Sequence, residues 1–224
     1  MSVIVFWDLD GTLLTTNRGG VAALEDACEH VLGRRADLSG LKSAGLTDRE
    51  IATAIVSDIS GRPDPAIELA FLEHYACALP ERLEQKRGHV MPNVLAVLEA
   101  CASHDRVQVG LLTGNIESCA YAKLLSYGVD PGLFAFGGFA EDGYTRVEIG
   151  AAALDRSGGL GAWREAFLVG DTPSDVEAGQ ALGLRTIAVA TGGFTKEALQ
   201  STAAWTVLDQ LPESAAFFAL VSVV

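Results

Sequence analysis

The stretch that most limits how this chain can fold is Val3 to Leu14, VIVFWDLDGTLL. Val3 to Phe6 are apolar, mostly β-branched or aromatic, with no polar alternation. Such a strand suits burial on both faces, as in a parallel sheet covered by helices. Asp8 and Asp10 follow, with Gly11 and Thr12 behind them. On extended backbone, side chains two apart point the same way, so both carboxylates are expected on one side. Gly11 permits a sharp exit from the strand or a close approach to a ligand. Acids at the carboxyl end of a buried strand sit where open α/β sheets bind ligands. An Asp-Leu-Asp-Gly turn on an ordinary strand uses the same residues, so the rest of the chain has to decide.

Beyond this strand the pattern divides. Val21, Leu24, Ala27, Cys28, Val31 and Leu32 recur at helical spacing between Gly19 and Gly33. Thr47 to Glu50 fits a capping box opening a second helix. Asp64-Pro65 reads as an N-cap with proline at the first helical position, opening a third helix that Pro80 is expected to interrupt. From about Pro92 helices alternate with strands: Val107–Thr113, Phe134–Phe139, Ala166–Asp171, Leu184–Thr191 and a short Thr206–Leu208 read as strands. Glu148 to Arg156 reads as a helix, with Arg146 in the polar segment ahead of it. The apolar run from Ala215 to Val224 reads as a final helix or edge element. Alternation of this kind implies an α/β fold, a doubly wound parallel sheet. The expected organisation is a core of residues 1–15 and 89–224 with an all-helical insertion over 16–88, hinged near Leu14 to Arg18 and Gly88 to Pro92.

With 16 Lys plus Arg against 29 Asp plus Glu, the net charge is −13. A surface that acidic repels a phosphate backbone, which disfavours nucleic acid and anionic membranes as partners. An anionic substrate then has to be captured by local positive charge, most directly a bound cation. Cys28, Cys77, Cys101 and Cys119 form no metal-type pair and lie in apolar helical stretches. They read as buried reduced thiols in a cytoplasmic protein. No leader-like segment is seen ahead of the first strand.

Three further strand ends carry polar residues. Thr113, Gly114 and Asn115 in LLTGN stand where a helix N-terminus could receive an anion, or where an ordinary N-cap would stand. Asp171 ends its strand in LVGDTPSD, and Asp175 comes one helical turn on, as a cap, a salt-bridge partner or part of a site. Brought to one sheet edge, Asp8, Asp10 and Asp171 could not all ionise unpaired. Oxygen donors without His or Cys point to a hard ion, Mg2+ in the simplest case. With Thr113, Asn115 and a cation from Arg146, such a site has a nucleophile, an acid/base, a metal and donors for phosphoryl oxygens.

DLDGT, LLTGN, a basic residue and GDTPSD, in that order after apolar strands, resemble the haloacid dehalogenase superfamily. The resemblance spans Asp8 to Asp175 and implies a Rossmann-like core, with residues 16–88 as an α-helical cap. GLTDREI, Gly45 to Ile51, looks like the cap segment that phosphoglycolate phosphatase and β-phosphoglucomutase-like members bring to substrate. The resemblance implies that Asp8 attacks phosphorus and becomes an aspartyl phosphate. Asp10 protonates the leaving oxygen and later takes a proton from water. Thr113, with Gly114 and Asn115 beside it and Thr12 nearby, binds the phosphoryl group. Asp8, the Asp10 carbonyl and Asp171 hold Mg2+, with Asp175 in support. The third-motif cation, usually lysine, is Arg146, with Arg164 as the other candidate. Arg49 and Lys42 are candidates for touching the leaving group, against a reading of Arg49 as a solvated helix charge.

Asp10 argues against dehalogenase chemistry, and also against the phosphonatase branch that would use a cap lysine such as Lys42. The expected activity is hydrolysis of a small phosphate ester, phosphoglycolate-like or sugar-phosphate-like, by a monomer or homodimer. A phosphomutase and a catalytically silent ligand-binding module on the same fold are the alternatives; both acids of DLDGT speak against the latter.

Overall fold

A computed structural model describes residues 2–221. β1 (Val3–Trp7) runs through the middle of a six-stranded parallel sheet, between β4 (Val107–Leu112) and β6 (Glu165–Gly170). With β5 (Phe136–Gly138), β7 (Arg185–Val189) and β8 (Thr206–Leu208), the order is β5-β4-β1-β6-β7-β8. The alternation of helices and strands therefore yields the doubly wound α/β sheet it implied.

Every residue of β1 is buried, which is why its apolar run shows no alternation. Its side chains still divide by parity. Val3, Val5 and Trp7 join an apolar layer with α4 (Val94–Ala102), α5 (Glu117–Ser126) and α9 (Ser214–Leu220). Ile4 and Phe6 pack on the opposite side with Ile149 and Ala153 of α6 (Arg146–Arg156). α7 (Pro173–Leu182) follows β6, and α8 (Lys196–Gln200), a helix the sequence pattern did not suggest, precedes β8. α9 anchors the C-terminal segment by stacking Phe217 on Trp7 at 5.5 Å; residues 222–224 of the apolar run lie outside the described residues.

Three helices make up most of the chain between β1 and α4. α1 (Gly19–Leu32), α2 (Asp48–Ser60) and α3 (Pro65–Lys86) gather around an apolar centre that includes Leu24, Ile55, Phe71 and Leu79. α2 starts with the full capping box of Thr47 and Glu50, and Asp64 caps α3 ahead of Pro65. Asp26 of α1 accepts two hydrogen bonds from Arg82 of α3, at 2.5 and 2.7 Å. The segments expected as hinges pair with each other: β2 (Leu14–Thr15) and β3 (His89–Val90) form an antiparallel ribbon with Leu14 opposite Val90.

Two local expectations are corrected. Pro80 does not interrupt α3, which runs on to Lys86. Its buried stripe of Phe71, Tyr75, Leu79 and Leu83 continues at a spacing of four across the proline. Pro80 itself is exposed and lies off that stripe, so its ring displaces no buried side chain. Cys77 falls off that stripe and is exposed, whereas Cys28, Cys101 and Cys119 are buried free thiols. Packing outweighs the local cost of the proline, about 3 kcal/mol in an unconstrained helix interior. Pro80→Ala is therefore expected to stabilise the protein, by at most about that amount, read as a higher urea midpoint at unchanged m-value.

Candidate active site

The register of the sheet builds the site. Trp7 pairs with Leu111 on one side and Val169 on the other. The next residues along these strands bring Asp8, Thr113 and Asp171 to one carboxyl edge, and the Asp8 amide extends the ladder by donating to the Val169 carbonyl at 2.9 Å. β1 ends at Trp7, so strict alternation stops there. Asp8 and Asp10 both line one cavity of about 410 Å3 but turn to different partners.

Asp8 meets Arg146, the first residue of α6. α6 starts two residues earlier than the apolar pattern indicated, because Thr145 and Glu148 form a capping box. Arg146 is buried, and its Nε donates to Asp175 Oδ1 at 2.8 Å while its Nη2 pairs with both Asp175 and Asp8. Asp175 is spent on structure at its other oxygen, Oδ2, which accepts from the Thr172 amide at 3.0 Å and hydroxyl at 2.7 Å. Arg164 stands just ahead of β6, at the opposite end of that strand from Asp171.

Asp171 is buried between Gly11 and Gly192, and its Oδ1 accepts from the Thr12 hydroxyl at 3.2 Å. Gly11 has φ of +86°, and a Cβ there would lie 2.5 Å from the Asp171 carboxylate, so the sharp turn and the close approach are both required. Thr12 thus supports Asp171 and does not line the cavity. Asp8, Asp171 and Asp175 each offer an oxygen within 4.8 Å of the others. Burial pushes the Asp8 carboxyl up to about 7 even though Arg146 opposes the shift. Burial, followed by repulsion from Asp8, also lifts Asp171 well above the ordinary carboxylate range. Arg146 is held more firmly protonated than usual: the charges of Asp175 and Asp8 outweigh the effect of its burial.

Asp10 faces the other way. Its Oδ2 accepts from Asn115 Nδ2 at 2.8 Å and from Lys123 Nζ at 2.6 Å. The Asn115–Asp10 bond joins the LLTGN segment to the DLDGT segment directly, and Asn115 also donates to Thr113 Oγ1 within its own segment at 2.7 Å. Lys123 was not singled out from the sequence. Its signal was there in α5, where it shares the buried stripe with Cys119, Ala120 and Leu124, a position lysine occupies only when paired.

The helical block closes over this edge. The Asp48 amide donates to the Gly114 carbonyl at 2.7 Å, and Asp48 Oδ2 accepts from the Ile116 amide at 2.9 Å, capping α5 from outside. Thr47 donates its hydroxyl to the Tyr144 carbonyl at 3.2 Å. A Cβ at Gly114 would lie 2.8 Å from the Leu46 carbonyl, so the glycine of LLTGN leaves room for this loop. Burial pushes Asp48 up to about 6, against the pull of Lys123.

Thr113, Gly114 and Asn115 line the cavity, whereas Arg49 and Lys42 do not. On α2 the inward stripe is Asp48, Ile51, Ala52 and Ile55, and Arg49 lies off it with its guanidinium 5.4 Å from the Tyr144 ring centre. Lys42 is exposed in the preceding loop. From the helical block the cavity instead receives Arg18, Asp48 and Tyr75.

Comparison with known proteins bears on the family and the fold. Residues 5–180 match the family described as haloacid dehalogenase-like hydrolase, and a second hydrolase-like family matches residues 150–214. A phosphoglycolate phosphatase of Rhodospirillum rubrum is 31% identical, with 93% of this chain and 88% of that protein covered. The crystal structure of CbbY from Rhodobacter sphaeroides in complex with phosphate superimposes with a TM-score of 0.71 at 19% identity, covering 94% of this chain and 95% of the other. A hydrolase from Pseudomonas syringae gives 0.71 at 17% identity, covering 99% and 98%. No helix among the described residues is long and apolar enough to cross a membrane. The sheet order, the acidic edge and a family match over most of the length lead to one conclusion: this chain belongs to the haloacid dehalogenase-like hydrolases.

Proposed function

We propose that this hydrolase is a Mg2+-dependent phosphatase acting on a small phosphomonoester through an aspartyl phosphate on Asp8. The observation that carries the reading is Asp8 paired with a buried arginine, in one cavity with Asp10, Thr113 and Asp171. A cavity of about 410 Å3 suits a compact ester, in keeping with a relative named for phosphoglycolate. Residues 16–88 serve as a cap, and its bonds at Gly114 and Ile116 hold it against the edge that carries the reacting groups.

In this reading Asp8 attacks phosphorus in line with the leaving oxygen, and the Asp10 carboxyl hands that oxygen a proton. Water then attacks the aspartyl phosphate as Asp10 takes a proton back. Thr113 and the backbone at Gly114 donate to the phosphoryl oxygens, and Arg146 offsets the charge of Asp8 and the incoming ester. The donor set fits a hard divalent ion: three buried carboxylates face one guanidinium, and among the described residues Asp171 has no bonded cation. Asp8, the Asp10 carbonyl and Asp171 would hold it, with Asp175 holding Arg146 beside them. When bound, such an ion supplies charge neutralisation and a template for the phosphoryl group.

The purified protein is expected to release phosphate from p-nitrophenyl phosphate in the presence of Mg2+. Asp8→Asn should lower that rate by at least about three orders of magnitude, as loss of a covalent nucleophile does; activity surviving the substitution would exclude the aspartyl phosphate. A second expectation follows from protonation. Folding raises the Asp8 pKa from 3.8 to about 7 without an ion. The folded state therefore binds that proton more tightly than the unfolded chain. The stability this contributes is present below about pH 4 and is lost as pH rises through about 7. Mg2+ competes with the proton, so its addition should raise the melting temperature more at pH 8 than at pH 5. An equal shift at both, or none, would count against metal binding at these carboxylates.

A further inference from the structure

Lys123 is a buried cation that the proposed reaction has not used. It is 4% exposed, on a helix face otherwise made of Cys119, Ala120 and Leu124. Its ammonium donates to Asp10 Oδ2 at 2.6 Å and to Asn115 Oδ1 at 2.5 Å. Asn115 completes a triangle by donating from Nδ2 to the same Asp10 oxygen at 2.8 Å. Burial works against the charge of Lys123, but the carboxylates of Asp10 and Asp48 outweigh it. An ammonium in such a position costs stability unless paired, and its partners are two cavity residues, Asp10 and Asn115. Both donors fall on Oδ2, so among the described residues Asp10 Oδ1 has no protein donor, on a side chain that is 41% exposed.

We propose that Lys123 is a positioning residue that, with Asn115, grips Asp10 by Oδ2 so that Oδ1 is the oxygen that moves protons. The proposal rests on the phosphatase reading. In the first step the proton on Oδ1 passes to the leaving oxygen as its bond to phosphorus breaks and the Asp8–phosphorus bond forms. In the second, Oδ1 takes a proton from water as the water oxygen bonds phosphorus and the Asp8–phosphorus bond breaks, restoring both side chains. An Asp10 free to rotate would present either oxygen, or neither, to the leaving group. The loss would fall on esters whose leaving group must be protonated to depart.

The test compares Lys123→Met with the wild-type chain on three substrates: 2,4-dinitrophenyl phosphate, phenyl phosphate and an alkyl phosphate. The leaving group of the first departs as a stable anion, and that of the last needs a proton. The expected result is a fall in kcat/KM of about 100-fold or more on the alkyl ester, the range a positioned proton donor supplies. On the dinitrophenyl ester it should be less than about 10-fold, below the contribution of such a donor. A folded variant, judged by its melting transition, that loses the same factor on all three substrates would make Lys123 a structural counter-ion and overturn the proposal. If Lys123→Met does not fold, Lys123→Gln, which keeps a donor without the charge, is measured in the same series. Failure of both to fold would overturn the proposal in favour of a purely structural role. Wild-type turnover that persists in Asp8→Asn, or is absent altogether, would instead bring down the phosphatase reading beneath it.

Discussion

The guanidinium of Arg146, buried between Asp8 and Asp175, is the interaction on which the acidic edge depends. It ties the end of β1 to the starts of α6 and α7, three segments that meet only in the folded sheet. A buried ion pair contributes little net stability, because desolvation consumes most of the attraction. Its importance lies in what its absence would leave, two carboxylates buried without a counter-charge. Even with the arginine in place, burial pushes the Asp8 carboxyl up to about 7 and lifts Asp171 above the ordinary range, so desolvation opposes charge on both acids.

A second acid–cation set stands on the other side of the sheet edge. Asp8 and Arg146 belong with α6 and α7, whereas Asp10, Asn115 and Lys123 belong with α5. Two carboxylates in neighbouring positions of one loop are thereby given different partners and different environments, the arrangement that lets paired acids take separate chemical parts. The helical block is joined to the second set. Asp48 caps α5 and accepts from Ile116, and the apolar centre around Phe71 extends to Ile116 and Cys119. Any movement of this block away from the edge has to break those bonds and expose that surface.

Most of the fold was legible because its signals are local and mutually consistent. Largely apolar runs marked the strands β1, β4 and β6, and Thr47-Glu50 and Asp64-Pro65 marked helix starts. Where the reading missed, a tertiary contact had outweighed a local rule. Pro80 reads as a breaker, yet a buried stripe of spacing four holds α3 together across it. The ribbon of β2 and β3 involves only two residues on each strand and joins segments far apart in sequence, so no periodicity could reveal it.

For the site, the sequence by itself determined which acids, hydroxyls and glycines end the strands, because motif order and strand ends are written in consecutive residues. Asp8, Asp10, Thr113 and Asp171 could be named on that basis, with Arg146 as one of two candidate cations. Only the tertiary structure decided how they pair. It brought Arg146 to Asp8 and left Arg164 at the far end of β6, and it turned Arg49 onto Tyr144 away from the cavity. It also delivered Lys123 from the buried face of a helix to Asp10, 113 positions earlier in the chain. Pairings of this kind are set by sheet register and by the facing of helices, quantities that exist only once distant segments have packed together.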